Sequence, residues 1–228
     1  SEPERRQAAR GLLPELRGRL SRNQRVILHY SASSDVLQFV NARDSADVAA
    51  RGLACPDHVL YTKVKPLFLR ESGVGSRESA LGRALAAYEA DYERFLQEQT
   101  DTAQTSPTPD SRLPTPQRFE PLPKVVLVPD VGMITAGKDQ RSALLAAENY
   151  TRAIQIMRGA SVLDRFGSLT DREAYEFEYW PLELYKLTLL PPEKELARRV
   201  ALITGAAGAI GRAIARRFSE EGAHLVLA

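Results

Sequence analysis

The stretch VALITGAAGAIGRAIARRFSEEGAHLVLA, residues 200–228, constrains the fold of this chain more than any other. An apolar, β-branched run leads straight into a glycine-rich turn, the turn into an amphipathic segment stopped at Gly222, and that segment into a second apolar run. Strand, turn, helix and strand in this order set the exposed N–H groups of a helix start against a phosphate. Each glycine has its own task. Gly205 takes the backbone conformation of the sharp turn, Gly208 lets the loop approach closely, and Gly211 lets the helix pack against the strand. The helix is expected to begin near Ile210, with its positive end toward a pyrophosphate.

The remaining residues must supply most of the core. With 43% hydrophobic residues in 228, the chain can build one large domain or two modest ones. Lys and Arg number 31 against 29 Asp and Glu, a formal charge of +2. The basic residues are scattered, without a stripe of interleaved aromatics, which argues against nucleic acid as a partner. No apolar run approaches the roughly 20 residues needed to span a bilayer, and the start SEPERRQAAR has no signal-peptide core. The expectation is a cytoplasmic, membrane-free protein. The single cysteine, Cys55, has neither a disulfide partner nor a metal-spaced companion and is expected as a reduced, buried thiol. Ser1 in place of an initiator Met, and an end at Ala228 directly after an apolar run, predict a piece of a longer chain.

Before the glycine motif, helical and strand patterns alternate. Leu12, Leu16 and Leu20 predict a helix over Ala8 to Leu20, followed by a strand at Val26 to His29. Ser34 and Asp35 offer cap chemistry for a short helix carrying Val36, Leu37 and Val40, and a second short helix is expected from Ala46 to Arg51, ending at Gly52. HVLYTKVKPLFL reads as one or two strands broken at Pro66. Leu81, Leu85, Tyr88, Tyr92 and Phe95 predict a long helix from Ser79 to Gln97. The Pro-, Ser- and Thr-rich stretch at 99–118 reads as an exposed, poorly ordered loop, either a domain boundary or an insertion. Val125 to Val128 is a buried strand, turning into a second that ends at Gly137. Ala143, Ala147, Tyr150, Ile154 and Met157 trace one helical face, and Asp171 to Leu189 is helical again, with Phe177, Trp180, Leu184 and Leu187 inward and Pro181 bending or dividing it.

Residues 200–228 resemble the start of short-chain dehydrogenases: Thr204, Gly205 and Gly211 match their loop, while Ala209 stands where its second glycine usually falls. The segments ACPDHVLYTKVKPLFL, VVLVPDVGMITAGKD, ENYTRAIQIMRGA and EFEYWPLELYKL, and the junction PPEKELARRVALITG, resemble bacterial fusion proteins that join a class II aldolase to such a dehydrogenase and act on rhamnulose 1-phosphate. The resemblance implies an α/β class, with a class II aldolase-like region over residues 1–190 and the first βαβ of a Rossmann fold over 191–228. It implies retro-aldol cleavage of the sugar phosphate in the parent, oxidation of the resulting lactaldehyde, NAD or NADP as cofactor, and a homo-oligomer. The cofactor loop would be Thr204, Gly205, Gly208, Ile210 and Gly211.

A class II aldolase also needs a divalent metal, normally zinc, held by closely spaced histidines. This chain has three histidines, His29, His58 and His224, and no His-x-His pair. Where such aldolases carry Asn-His-Gly between two strands, this chain reads Asp130, Val131, Gly132, and valine cannot ligate a metal. The expectation is a metal-free module, with no catalytic residues of its own, packing against an active domain encoded upstream. Two further readings stay open: a non-catalytic oligomerisation module, and a sugar-alcohol or sugar-phosphate dehydrogenase with an unrelated leader. His58 is expected to cap or pack, Lys63 and Lys138 to be solvated, and Trp180 to lie in the core. Asp57, Glu148 and Glu178 lack a neighbouring His or metal signal, and Arg212 is expected on the solvated helix face.

Overall fold

Four strands make a mixed sheet in the order β1-β4-β3-β2, with helices on both faces. The computed structural model describes residues 1–70, 77–103, 119–189 and 191–228. Strands β1 (Ile27–Ser31), β4 (Gly132–Gly137) and β3 (Val125–Val128) pair antiparallel, and the two-residue β2 (Leu67–Phe68) runs parallel to β3.

The unbroken apolar run VVLV follows from this layering, because both faces of β3 are covered. Val125 and Leu127 face one core, with Met133 of β4, against α2 (Ser34–Val40), α3 (Ser45–Ala49) and α6 (Gln140–Leu163). Val126 and Val128 face the other, with Ile134, against α1 (Glu2–Leu20) and α5 (Arg77–Ala103). The expected face of α6, Ala143, Ala147, Tyr150, Ile154 and Met157, is buried throughout. Thr135 is buried on β4, and its hydroxyl donates to the Ala143 carbonyl at 2.7 Å, which satisfies it.

Several expectations are corrected. Helix α1 starts at Glu2, with Pro3 and two acidic residues in its first turn. The cap of α2 is Ser33, whose hydroxyl accepts from the Val36 amide. HVLYT is not a strand: Pro56–His58 form a 3₁₀ turn that continues as α4 (Val59–Thr62), leaving only β2 extended. At helical spacing Val59 and Thr62 both turn inward, so burial outweighs the β-preference of their branched side chains. Helix α5 runs past Gln97 to Ala103, so the expected loop begins later; its remainder, 104–118, lies outside the described residues. Pro181 divides the last helical stretch into α7 (Asp171–Glu178) and α8 (Pro181–Thr188). The inward residues of α7 are Ala174 and Glu178, whereas Trp180 is 45% exposed rather than in the core, and the Leu187 side chain lies outside those described. Cys55 is half-buried and free.

The C-terminal unit is separate in hydrogen bonding: β5 (Val200–Ile203) and β6 (His224–Leu227) form their own two-stranded parallel sheet, crossed by α9 (Ala209–Glu220). Arg198 precedes it in a left-handed conformation, its guanidinium paired with Glu193 and donating to the Arg25 carbonyl at 3.1 Å.

Candidate functional site

The glycine turn between β5 and α9 is tightly closed. Gly205 has φ +66°, the left-handed conformation a glycine takes without strain, and its carbonyl accepts from the Gly208 amide at 3.0 Å. A Cβ on Gly211 would lie 2.3 Å from that same carbonyl oxygen, so the third glycine allows the helix to close on the turn itself rather than on the strand. The cap is Gly208, which offers no side chain to the helix start. The first helical bond runs from the Arg212 amide to the Gly208 carbonyl at 3.0 Å, and the amides of Ala209, Ile210 and Gly211 precede it. Ile210 is 79% exposed, Thr204 is exposed beside it, and the Arg212 side chain is exposed and donates to the Ala207 carbonyl at 3.1 Å. These are the elements of an anion cradle: amides ahead of the first helical bond, at a positive helix end whose cap residue carries no side chain.

A second constellation lies inside the larger unit and was not foreseen. Lys63, expected in solvent, is 4% exposed, and Glu178 is 1% exposed. Lys63 Nζ donates to Glu178 Oε1 at 3.1 Å and to the Tyr92 hydroxyl at 2.7 Å, and sits 4.0 Å from the Tyr92 ring centroid. Tyr92 in turn donates to Glu178 Oε1 at 3.0 Å, and its hydroxyl lies 3.2 Å from that of Tyr179. Burial pulls the Lys63 ammonium below the usual lysine range, while Glu178 acts in the opposite direction. Burial and the adjacent carboxylate push the Tyr92 hydroxyl strongly upward. Lys124, which donates to the Leu60 carbonyl, is lowered to about 8 by burial and by the neighbouring Lys63. The one available signal in the sequence was phase: Glu178 falls one helical turn after Ala174, on the inward face of α7.

The histidines are not brought together. His29 lies on β1 opposite Thr135, His58 in the 3₁₀ turn, and His224 at the start of β6. Burial lowers His58, whose Nδ1 is enclosed without a hydrogen-bond partner. Between β3 and β4, Asp130 is left-handed at φ 60°, its amide donating to Asn41 Oδ1 at 2.7 Å, and Val131 is buried in the core shared with α1 and α5. Asp57 and Glu148 are exposed and Lys138 is half-buried. Among the described residues no group of three or more His, Cys, Asp or Glu is placed to hold a metal ion.

The sequence family described as aldolase class II, second domain, matches residues 7–187. The chain belongs to that family. The match ends in α8, before β5, so the glycine turn lies beyond it. A relative from Bacillus subtilis (strain 168), an uncharacterized oxidoreductase called YuxG, is 39% identical over 232 residues. That alignment takes in the whole of this chain, glycine turn included, and 32% of the relative, so the chain spans about a third of the relative's length. No solved structure matches.

For this class II aldolase second domain the two implied groups fit differently. The side chains of the β3–β4 turn do not suit a divalent metal, because Val131 packs into the core and offers no donor. The turn after β5 suits a pyrophosphate, since its first amides precede the helix's own hydrogen bonds and a methyl at Gly211 is sterically excluded.

Proposed function

We propose that the chain is the second aldolase domain of a bifunctional protein, joined to the opening βαβ of an NAD- or NADP-dependent short-chain dehydrogenase. In the parent, the aldolase side cleaves rhamnulose 1-phosphate to dihydroxyacetone phosphate and lactaldehyde, and the dehydrogenase side oxidises the lactaldehyde. The closed glycine turn carries this reading: Gly205 and Gly211 in contact, with the amides of Ala209, Ile210 and Gly211 ahead of the first helical hydrogen bond. Thr204, Gly205, Gly208, Ile210 and Gly211 are the residues that would hold the pyrophosphate. The bound nicotinamide would supply a hydride acceptor. The family match and the oxidoreductase name of the relative support the pairing of the two activities. A divalent metal, zinc by preference, and the remaining catalytic groups belong to other parts of the parent, which works as a homo-oligomer in the cytoplasm.

Apolar exposure on the small sheet adds weight. Val200, Leu202, Val226 and Leu227 remain open to solvent on β5 and β6, as expected for strands that further strands and helices of a dinucleotide fold would cover.

The test is dinucleotide binding by the full-length protein, wild type and Gly211→Val, followed by titration. The valine variant should lose at least about tenfold in NAD or NADP affinity, since it reopens the turn that positions the amides. Equal affinity in both proteins, or no binding in either, removes the dehydrogenase reading. A second reading, a non-catalytic packing module, is favoured by the burial of Val131 where a metal ligand is expected. It would hold if neither rhamnulose 1-phosphate cleavage nor lactaldehyde oxidation is detected in the full-length protein.

A further inference from the structure

Helix α7 is anchored by a buried charge set among apolar and aromatic contacts: Phe177 packs with Leu53, Val59 and Val64, and Tyr175 and Tyr179 with Tyr92 and Leu96. It turns only two residues fully inward, Ala174 and Glu178, and one of these is a carboxylate. By contrast α6 buries Ala143, Ala146, Ala147, Tyr150, Ala153, Ile154 and Met157. Beyond α7, α8 leaves Leu182 and Tyr185 exposed and packs Leu184 against Tyr92, Leu96 and Tyr179, so the hold on α8 is lighter than that on α6.

We propose that α7 and α8 form a strap that the Lys63–Glu178 pair clasps against α4 and α5, and that neutralising the Glu178 carboxylate opens it. The inference is independent of the dinucleotide reading.

Three features make the clasp sensitive. The carboxylate is half-satisfied: Oε1 accepts from Lys63 and Tyr92, while Oε2 is enclosed without a hydrogen-bond partner. The charged and titratable groups around it come from several elements. Lys63 follows α4, Lys124 and Glu120 precede β3, Tyr88 and Tyr92 come from α5, and Tyr175 and Tyr179 lie on α7 and at its C-terminal end. Two ammonium groups therefore face the fully buried Glu178 and the half-buried Glu120, and removing the Glu178 charge leaves the buried Lys63 without its hydrogen-bonded counter-ion. Finally, Lys63 is held in place by its backbone. Its φ of 65° is left-handed for a residue with a Cβ, a conformation that persists only where the surroundings over-determine it. Lys63 belongs to the segment after α4 and Glu178 to α7, so movement of α7 away from α4 separates the charges.

Opening also has a direction. Helix α8 leads into the segment that enters β5, so a released strap loosens the connection between the large sheet and the small one.

Hydrogen exchange read by mass spectrometry on the full-length protein tests this, comparing peptides from 171–180 with peptides from α6 at 140–163. At about pH 7.5, Glu178→Gln should speed exchange at 171–180 by at least about tenfold and leave α6 unchanged. The apolar pair Lys63→Met with Glu178→Met should restore slow exchange, because neither charge is then buried alone. The strap is overturned if Glu178→Gln leaves 171–180 protected, if it speeds both regions alike, or if the double variant exchanges as fast as the single one.

Discussion

At the scale of single residues, the chemistry of this domain lies in side chains whose surroundings contradict their type. Lys124 shows the consequence most simply. Its ammonium is pulled down to about 8 in the folded protein from an ordinary value near 10.5. Between those two values the unfolded chain binds a proton that the folded one does not, so stability rises with pH across that window. The slope is at most about 1.4 kcal/mol per pH unit for one such group. The trend reverses above about pH 10, where unfolded tyrosines ionise. Tyr88, Tyr92 and Tyr150 are held protonated by burial in the native state and oppose unfolding less as that pH is passed. Urea denaturation should therefore give a higher midpoint at about pH 9.5 than at about pH 7.5, and Lys124→Met should flatten the rise. An unchanged slope in that variant would assign the effect to another group.

At the scale of elements, helix ends are set by a few polar side chains, some readable in the sequence and some not. Asp139 caps α6: its Oδ1 accepts from the Ser142 amide at 2.7 Å, and the buried face of the helix begins at Ala143. Replacing it with alanine should cost about 1 kcal/mol, within the usual 0.5–2 range for lost caps, and Asp139→Ser should recover most of that. Thermal or chemical melts of the three proteins would decide it; equal stability of all three would mean the cap contributes nothing. Helix α6 itself was plain from its apolar spacing, as was α5. The α4 turn was hidden, because VLYT favours a strand by residue type and becomes helical only where Val59 and Thr62 meet the core. The split at Pro181 was legible, but the inward face of α7 was not, since an inward glutamate breaks the apolar pattern that marks such a face.

At the scale of the whole molecule, two cores on opposite sides of one sheet carry the stability of the aldolase domain. Leu127, fully buried on β3 against α6 and its neighbours, belongs to one of them. Leu127→Ala should cost about 2–5 kcal/mol, whereas Leu163→Ala, at a position 89% exposed, should stay within about 0.5 kcal/mol. Comparable losses at both sites would mean that Leu163 is covered in the assembled protein. The sequence by itself determined what depends on neighbours along the chain: the doubly covered strand Val125–Val128, the long amphipathic helices, the turn at Asp130, and the strand, glycine turn and helix at 200–220. Those follow from local spacing and from backbone freedom at particular glycines, which a sequence records directly. Only the tertiary structure decided which charges leave water. Lys63, Tyr92 and Glu178 lie on separate elements, 29 and 86 residues apart along the chain, and their pairing exists only once α4, α5 and α7 have packed together. A buried ion pair is a property of the environment that two distant segments create, and no local pattern of residues encodes it.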